Sequence, residues 1–555
     1  MSLNPEPIRP VPEQTARVAR AAFPKGTTYT RMRDELGVLW HDEDFAGLFP
    51  ARGQPALAPW RLALVTVMQF AENLSDRQAA QAVRARIDWK YALGLELTDP
   101  GFDFSVLSEF RSRLISGGAE ELLLEKLLEE CANRGLVKGR GKQRTDSTHV
   151  VAAVRALNRL ECVGETMRAA LNALAAAAPE WLAGWAPHEW YDRYGPRFEE
   201  YRLPKADAER REMADTVGAD GFRVLGKLEE PAALAGGLRE IPAVGVLERV
   251  WKEQYHRPEG PGGSARWKGP EEMAPSAETV HSPYDTEAHY SWKRDTAWTG
   301  YKVHLTETHG DEELPNLITH VETTPATAPD VTATNAIHGA LSEKGLAPAE
   351  HVVDAGYVGS EPLVEGKAKH GVDLIGPTPR DPSWQARIEG GLDISRFAVD
   401  WGSEIVTCPQ GKTSRVWHPT HDRHGNDIVT VAFAKKECLA CPIRSVCTRS
   451  KGAGRSITLR PRAQHEALQA ARKREETEEF KESYDARAGV EGTLSQGIRV
   501  FGLRRTRYVG QARTHLQHVV TAVAINLVRL MAWLCATPKA RTRKSRFARL
   551  APCAG

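Results

Sequence analysis

The chain has 555 residues, more than one hydrophobic core usually holds, so two or three domains are expected. Its 41% hydrophobic and 26% charged residues are ordinary for a soluble globular protein. The most apolar stretch, residues 519–534, is interrupted by Asn526 and Arg529, and the N-terminus lacks the charged-then-apolar pattern of a signal peptide. These features exclude a membrane-spanning or exported chain, so a cytoplasmic protein is expected.

Residues 1–33 are predicted to form a flexible segment, because the first 25 are rich in proline. Residues 34–138 have a helical pattern: 60–70 are apolar, Ser75 can cap a helix through Ala85, Ser105 can cap another, and 121–132 form a further helix. Short helices with many cations suit a DNA-binding domain of the helix-turn-helix type. The alternative is plain helical packing with the arginines in water. The cations are Arg77, Arg84, Arg86, Arg111 and Arg113.

A strand is predicted at 145–150, followed by an Ala-rich and Leu-rich helical stretch at 152–178. The Gly-rich and Pro-rich segment beyond it makes residues 151–285 look like an insertion into a sheet. Residues 301–306 and 317–323 then alternate with period two around a polar turn, which predicts a β-hairpin.

The order continues with a helix at 331–341 and two short apolar runs, 351–354 and 371–376, that are typical of buried strands. A second insertion is expected at 383–460, and then one long helix from about 461 to 496. Strands that alternate with helices in this order predict an α/β fold.

Three acids lie where this order could bring them together. Asp146 is on the first strand, Asp354 ends a later strand, and Glu491 is on the long helix, spaced from Tyr484 and Arg487 so that all three share one face. Carboxylates on rigid elements suit a hard cation, which would offset the repulsion between them. The pattern therefore indicates a two-metal phosphoryl-transfer site. Taken singly, Asp146 could be a hydrogen-bonding strand residue and Asp354 a turn former.

The chain after Glu491 contains no Asp or Glu and twelve Lys or Arg residues. Such a block is the charge pattern expected for contact with DNA phosphates. For residues 539–549 a solvated tail is an equal alternative. The cations are Arg499, Arg504, Arg505, Arg507, Arg513, Arg529, Lys539, Arg541, Arg543, Lys544, Arg546 and Arg549.

Four of the eight cysteines, Cys408, Cys438, Cys441 and Cys447, fall within forty residues. In a cytosolic chain such clustering indicates a metal site, and four thiolates suit structural Zn²⁺. The five-residue spacer before the last cysteine leaves an iron–sulfur cluster as an alternative. A histidine could replace one ligand, although a solvated loop is the plainer interpretation of His418, His421 and His424.

Aromatic residues alternate with cations at 290–302. Stacking on unpaired bases would fit such a stretch. The alternative, which we favour, is that Trp292 and Trp298 pack at the entry of a strand. Asp295 and Asp330 are expected to be turn or capping residues.

Three motifs together resemble the DDE transposases of bacterial insertion sequences. They are Thr-Asp-Ser-Thr at 145–148, Val-Val-Asp-Ala-Gly-Tyr at 352–357, and Tyr484, Arg487 and Glu491 at their spacing. The last is similar to the tyrosine, arginine, glutamate and lysine signature of one branch, which has a lysine seven residues after the glutamate. Here Ile498 stands at that position and Arg499 follows, so Arg499 is expected to reach phosphate instead.

The resemblance implies a ribonuclease-H-like catalytic domain at 139–534 with a mixed sheet, preceded by the all-α domain and followed by a basic tail at 535–555. It implies two Mg²⁺ or Mn²⁺ ions per active site, with Asp146 bridging both and Asp354 and Glu491 each completing one. Tyr484 and Arg487 would hold the DNA backbone. Water would first free a 3′-hydroxyl, which would then attack target DNA.

The implied partners are double-stranded DNA, as terminal inverted repeats and as target, and a second copy of the chain, since two ends are cut in concert. The protein would act on the nucleoid in the bacterial cytoplasm, with no membrane and no small-molecule cofactor. Two alternatives stay open: a nuclease of the same fold that cuts without joining, and a transposase-derived DNA-binding protein.

Overall fold

The computed structural model describes residues 2–5, 7–50, 52–258, 265–537 and residue 547. Its N-terminal part is all helical, and Ser75 caps a helix ending at Ala85 as predicted, by accepting from Gln78 N. Ser105 is instead the first residue of its helix, where its NH donates to Asp103 Oδ1 at 2.9 Å. The helices are α1 (Glu13–Ala22), α2 (Thr28–Leu36), α3 (Pro59–Ala71), α4 (Asp76–Ala85), α5 (Ile87–Leu93), α6 (Ser105–Ser116) and α7 (Leu122–Asn133).

The expectation of a flexible segment at 1–33 is wrong for most of its length. Helix α1 buries Thr15 and Ala19, and Thr15 donates from Oγ1 to Leu95 O at 2.8 Å. Thr27 caps α2, which contributes Tyr29 and other side chains to the main core. The high proline content of the first 25 residues concealed an amphipathic helix that begins directly after Pro12.

Strand β1 (Lys142–Val151) leads into the first insertion, which has a hydrophobic core of its own. The predicted helix at 152–178 begins later, at Arg159, because Asn158 accepts from Glu161 N and caps it there. The elements are α8 (Arg159–Ala177), α9 (Pro179–Ala183), α10 (Glu189–Tyr194), α11 (Asp207–Lys227), α12 (Pro231–Ala235), α13 (Pro242–Gln254), β2 (Tyr255–His256) and β3 (Arg266–Trp267).

The main sheet is mixed and has the strand order β4-β5-β1-β7-β8, with β6 also paired to β5. Strand β1 is central: it is antiparallel to β5 and parallel to β7. The predicted hairpin is confirmed as β5 and β6. The elements are β4 (His289–Lys293), β5 (Thr296–His309), β6 (Ile318–Pro325), α14 (Asp330–Glu343), β7 (Glu350–Val353), α15 (Ser360–His370) and β8 (Asp373–Ile375). This arrangement confirms the α/β, ribonuclease-H-like fold with an all-α N-terminal region.

The second insertion follows β8 and contains a two-stranded and a three-stranded β-sheet, with a compact core that includes Phe397, Val406, Val431 and Phe433. Its strands are β9 (Ala398–Asp400), β10 (Ile405–Thr407), β11 (Ser414–His421), β12 (Asp427–Phe433) and β13 (Ser456–Leu459), with helix α16 (Lys435–Leu439) between the last two.

The single long helix predicted at 461–496 is wrong. The chain instead forms α17 (Arg462–Arg474), α18 (Glu478–Asp485) and α19 (Ala488–Phe501). The first break comes at Thr477, whose hydroxyl accepts from Phe480 N and starts a new helix. The ends of α17 and α18 also bond elsewhere, since Arg474 donates to Asp373 on β8.

The last helix, α20 (Gln511–Leu534), packs against β6, α3 and α7 and joins the helical region and the sheet in one core. By length and composition it could cross a membrane, and it is the one such helix in the described ranges, contrary to the expectation from sequence. However, 78% of its most apolar window is buried. Asn526 bonds to both Ile318 N and Ile318 O, so its polar groups are satisfied inside the core.

Candidate active site

Asp146 and Asp354 lie on neighbouring parallel strands at equivalent positions. In the register of β1 and β7, Thr145 pairs with Val353, and each acid is the next residue along its chain. Asp146 Oδ1 accepts from Ser147 N at 2.7 Å, and Asp354 Oδ1 accepts from Gly356 N at 2.8 Å. The two carboxylates are therefore held at the same edge of the sheet by short bonds to their own backbone.

Glu491 joins them through an arginine. Arg487 Nη1 donates to Asp146 Oδ2 at 3.0 Å, and its Nη2 donates to Glu491 Oε1 at 2.8 Å. Asp146 and Arg487 are mostly buried, whereas the Glu491 side chain is 60% exposed. The helix α19 thus brings the third predicted acid to the two on the sheet, with a guanidinium between them.

Tyr484 is on α18, on the other side of a helix break from Arg487, so the three signature residues do not share one continuous helix. They still lie together, because the Arg487 guanidinium sits 5.6 Å from the Tyr484 ring centroid. The Tyr484 ring stacks on Phe480, which packs against Val352 and Ile375 of the sheet. The aromatic pair thereby fixes the start of α19 near the strand that ends in Asp354.

The titration of Asp146 reflects this crowding of charge. Burial raises the pKa of its carboxyl above the usual range, and the charges of Asp354 and Glu491 raise it further, against the opposing effects of Ser147 NH and Arg487. Burial alone would lower the pKa of Arg487, but the charge of Asp146 and the bond to Glu491 raise it overall. The site is therefore a cluster of acids that gains from a nearby positive charge.

The carboxylates suit a hard divalent cation in their chemistry, since all three are oxygen donors at one edge. As they stand, however, no group of three or more His, Cys, Asp or Glu side chains within the described ranges is close enough to hold a metal ion. Arg487 supplies the positive charge between Asp146 and Glu491 in this arrangement.

A fourth acid lies beside Asp354. A Cβ built on Gly356 would be 2.9 Å from Asp354 Oδ1 and 3.2 Å from Asp330 Oδ2, so the two carboxylates flank this glycine. Asp330 is the first residue of α14, and Lys302 Nζ donates to its Oδ1 at 2.8 Å. Burial alone would raise the pKa of Asp330, but the hydrogen bond from Lys302 and the charge of Lys302 lower this pKa overall. Asp330 is thus neutralised by an ion pair. It is the first residue of α14, after the N-cap residue Pro329, and α14 has no side-chain cap, so the expectation of a turn or capping residue is wrong for Asp330.

Arg504, one of the cations predicted to contact DNA, bonds to the strand that carries Asp146. Its Nε donates to Thr148 Oγ1 at 2.9 Å, and Thr148 is on the same face of β1 as Asp146. The backbone at Arg505 bridges to Val151, so the segment after α19 runs along the edge of β1 beyond its pairing with β7. Arg499, Arg505 and Arg513 are exposed. Phosphate contact by Arg499, Arg504, Arg505 and Arg513 stays a prediction.

Arg507 and Arg529 bond inside the protein instead. Arg507 Nη1 donates to Leu74 O at 2.5 Å, and the guanidinium lies over the Phe70 ring, where it ties the segment to the helical region. Arg529 donates to Glu307 Oε2 at 2.8 Å. The predicted cations Lys539, Arg541, Arg543, Lys544, Arg546 and Arg549, and the basic tail they belong to, lie outside the described residues.

The arginines of the N-terminal helices also have partners within the chain, which favours the packing alternative for them. DNA binding by this region stays a prediction. Arg77 lies over the Phe104 ring, Arg84 donates to Pro100 O, Arg86 pairs with Glu72 and Asp88, Arg111 pairs with Asp76, and Arg113 lies over the Phe49 ring.

The four clustered cysteines of the second insertion line one cavity of about 760 Å³. The seven described cysteines form no disulfide. Burial raises the pKa of the Cys447 thiol, and the charges of Cys438, Cys441 and Cys408 add to the rise, so these three cysteines lie within electrostatic reach of Cys447. Arg455 N points at Cys438 Sγ from 3.4 Å. The alternative ligands His418, His421 and His424 do not line this cavity.

The two tryptophans of the aromatic stretch differ. Trp298 is buried at the start of β5 and contacts the His149 ring, so the packing prediction is confirmed for it. For Trp292, at the end of β4, packing is wrong: its side chain is 67% exposed. Alternation along β4 explains the difference, since Trp292 and Tyr290 point outward together.

Sequence reasoning missed two charged residues of β5, Lys302 and Glu307. Both stand in a strand most of whose residues are buried, and Glu307 is fully buried between Arg144 and Arg529. A buried charge needs a partner, so a charged residue inside a predicted central strand is the signal that could have identified them.

Comparison with known families finds two matches on separate parts of the chain. Residues 407–531 match the family described as the Transposase DDE domain, and residues 17–113 match the family described as the Transposase domain (DUF772). The first match contains Glu491 and the four cysteines, and the second covers most of the N-terminal helices. In comparisons with curated proteins and with solved structures, nothing matches. The two matches, in the order and fold described above, support a DDE-type transposase of an insertion sequence.

Proposed function

We propose that this transposase binds the terminal inverted repeats of its element and catalyses metal-dependent cleavage and transfer of DNA strands, with Asp146, Asp354 and Glu491 as the catalytic acids. The observation that carries the proposal is the convergence of these three residues, which are up to 345 positions apart, at one edge of the sheet around Arg487. Family membership supports DNA transposition in general, and the site residues are our assignment.

Within this proposal the three carboxylates hold Mg²⁺ or Mn²⁺, two ions per site. Bound there, the ions would supply Lewis-acid activation of the attacking and leaving oxygens in phosphoryl transfer. The raised pKa of Asp146 disfavours its bare carboxylate, which a cation would stabilise. Arg487 exchanges its carboxylate partners for a phosphate oxygen when DNA is bound, since a guanidinium forms strong paired bonds with either group.

DNA would approach along the face of β1 that carries Asp146 and Thr148. Arg504 is bonded to Thr148 Oγ1, and the exposed Arg499 and Arg505 extend the same positive surface. Phosphate contacts of this kind position a duplex without reading its sequence. The Tyr484 ring packs against the Arg487 guanidinium and would help to hold it in position. Because two element ends must be cut in concert, a homodimer on DNA in the bacterial cytoplasm is the expected assembly.

A strand-transfer assay tests the function. Donor DNA would carry the inverted repeats that flank this gene, and a supercoiled plasmid would serve as target, with Mg²⁺ or Mn²⁺ present. The expected result is a free 3′-hydroxyl at the donor end, followed by donor joined to plasmid. Cut donor without joined product would support a nuclease of the same fold. Donor bound in a gel shift but never cut would support a transposase-derived DNA-binding protein.

We also propose that Cys408, Cys438, Cys441 and Cys447 bind one structural Zn²⁺. Support comes from the shared cavity, the effect of the other three cysteines on the pKa of Cys447 and the absence of disulfides among the described cysteines. Four thiolates are a common zinc ligand set. The surrounding core is small, and a metal would add the stability that a small sheet lacks.

Elemental analysis of the purified chain is expected to find about one zinc per molecule. The Cys438→Ser Cys441→Ser variant should lose that zinc, because two of the four ligands are gone. Residues 392–459 of this variant should also be cleaved more readily in limited proteolysis. Cys535→Ser, which changes a cysteine outside the cluster, is the control and should keep its zinc. Iron together with visible absorbance would indicate an iron–sulfur cluster instead of zinc. A wild-type chain without bound metal would contradict the proposal of a metal site.

A further inference from the structure

A buried carboxylate, Glu307, accepts four hydrogen bonds from three elements that surround the proposed site. Its Oε1 accepts from Arg144 Nε at 2.8 Å and from Arg144 Nη2 at 2.6 Å. Its Oε2 accepts from Thr493 Oγ1 at 2.5 Å and from Arg529 Nη1 at 2.8 Å. The side chain has no exposed surface. Glu307 therefore joins β1, α19 and α20 at one point in the core.

Two of these contacts are close in sequence to the catalytic acids. Arg144 is two residues before Asp146 and on the same face of β1, and Thr493 is two residues after Glu491 on α19. Arg144 also reaches α19 directly, because its Nη1 donates to Ala486 O at 2.6 Å, the carbonyl just before Arg487. The network thus holds the strand of the first acid and the helix of the third at a fixed separation.

The Arg144 guanidinium lies so close to α19 that a Cβ at Gly489 would displace it. A Cβ added at Gly489 would lie 2.1 Å from Arg144 Nη1, far inside any allowed contact. The guanidinium occupies the space that a side chain at 489 would fill. This packing draws the first turn of α19 against β1, and that turn carries Arg487 and Glu491.

Burial of such a network does not by itself favour it over an apolar core. A buried ion cluster loses hydration, and well-packed hydrophobic residues of similar volume are often as stable or more so. What the network supplies is directionality: each bond fixes a distance and an angle between elements that apolar contacts would leave free to slide.

We infer that Glu307 is a positioning residue of the DDE site: through Arg144 and Thr493 it sets the placement of Glu491 relative to Asp146. This inference rests on the proposed function, since it concerns the geometry of the acids assigned there. Glu307 touches none of the reacting groups, and it acts through β1 and α19.

Glu307→Gln tests the inference, because it keeps the volume and removes the charge that attracts the two arginines. Partners of metal-binding residues typically change metal affinity or activity about 10–100-fold when they are mutated. We expect a loss of that size in the cleavage rate and in Mn²⁺ affinity measured by calorimetry, with donor-end binding in gel shifts unchanged. Amide hydrogen exchange at 486–499 should become faster.

The matched control is Glu165→Gln, a glutamate equally buried but in the first insertion, where it accepts from Arg168, Tyr284 and Phe198 N. It should lower stability without changing Mn²⁺ affinity or exchange at 486–499. Thr493→Val is isosteric and removes the bond from α19 to Glu307 together with the bond that Thr493 Oγ1 accepts from Arg529 Nη2. It provides the same test if Glu307→Gln does not fold, with a smaller loss in the same measurements.

The positioning role would be overturned if both Glu307→Gln and Thr493→Val kept the wild-type cleavage rate and Mn²⁺ affinity per folded molecule. Glu307 would then have a role in stability only. A failure of the proposed function would look different: the wild type itself would neither cut DNA nor bind Mn²⁺ at these acids. In that case amide exchange at 486–499 would still test whether Glu307 holds α19 in place against β1. Unchanged exchange in Glu307→Gln would contradict this structural role, and faster exchange would support it.

Discussion

Asp146→Asn is expected to lower the rate of donor cleavage by at least about 1000-fold, which corresponds to roughly 4 kcal/mol in the activation barrier. Asn keeps the shape and the bond from Ser147 NH but loses the negative charge that a divalent cation needs. Mn²⁺ binding measured by calorimetry should fall with it. Donor-end binding in gel shifts should stay at the wild-type level, because the phosphate contacts proposed for Arg499, Arg504 and Arg505 are unchanged.

Two further variants make this result specific. Glu491→Gln should also abolish cleavage, even though its side chain is 60% exposed and its loss leaves the core intact. Glu482→Gln removes an exposed acid from the neighbouring helix α18 and should cleave like the wild type. Cleavage that survives in Asp146→Asn, or that is lost equally in Glu482→Gln, would mean that the acids are wrongly assigned.

The second large effect is a loss of stability in mild acid, caused by histidines in the core. Burial lowers the pKa of His304 to about 4, of His338 to about 4 and of His518 to about 3, from the usual value of 6.5. All three are almost fully buried. Because the folded state resists protonation, the unfolded state binds more protons once the pH falls below about 6.5. Stability is therefore full above pH 6.5 and is lost as the pH falls towards 4.

At pH 5 each of these histidines should cost roughly 2 kcal/mol of the free energy of unfolding. Three of them together approach the roughly 5–15 kcal/mol that a domain has. Denaturant unfolding followed at pH 7.5, 6 and 5 should show this decline. Replacing His304 and His518 by Gln should make the free energy of unfolding fall less steeply between pH 7.5 and 5, whatever the effect on stability at pH 7.5. His421→Gln, which changes an exposed histidine, should leave the slope as in the wild type. A free energy that is equal at pH 7.5 and 5 would contradict the assignment of neutral core histidines.

Local patterns in the sequence predicted most of the elements. The hairpin, the helix at 330–343 and the strands around 351 and 373 are confirmed because alternation and apolar runs depend on which face of an element is buried. Ser75 and its helix are confirmed for a similarly local reason, a side chain that satisfies its own helix start.

Errors came where distant contacts override local preference. Residues 461–501 have the composition of one long helix, yet Thr477 and the bonds of Arg474 to Asp373 divide them. Residues 13–22 look like part of a proline-rich tail, yet they fold because Leu95 and the neighbouring helices offer them a surface. Arg507 also makes a distant contact that its sequence neighbours do not indicate, since its Nη1 donates to Leu74 O, and DNA contact by Arg507 stays a prediction.

By itself, the sequence determined which residues are available for chemistry: two acids at strand positions, a glutamate with its tyrosine and arginine, four clustered cysteines and an acid-free basic end. Spacing within a strand or helix carries that information, since side-chain direction repeats with a fixed period. Only the tertiary structure decided that Asp146 and Asp354 stand side by side and that Arg487 links them to Glu491. It also identified Glu307 as the point where β1, α19 and α20 meet. Strand register and helix packing are set by contacts between residues hundreds of positions apart, and no local pattern in the chain records them.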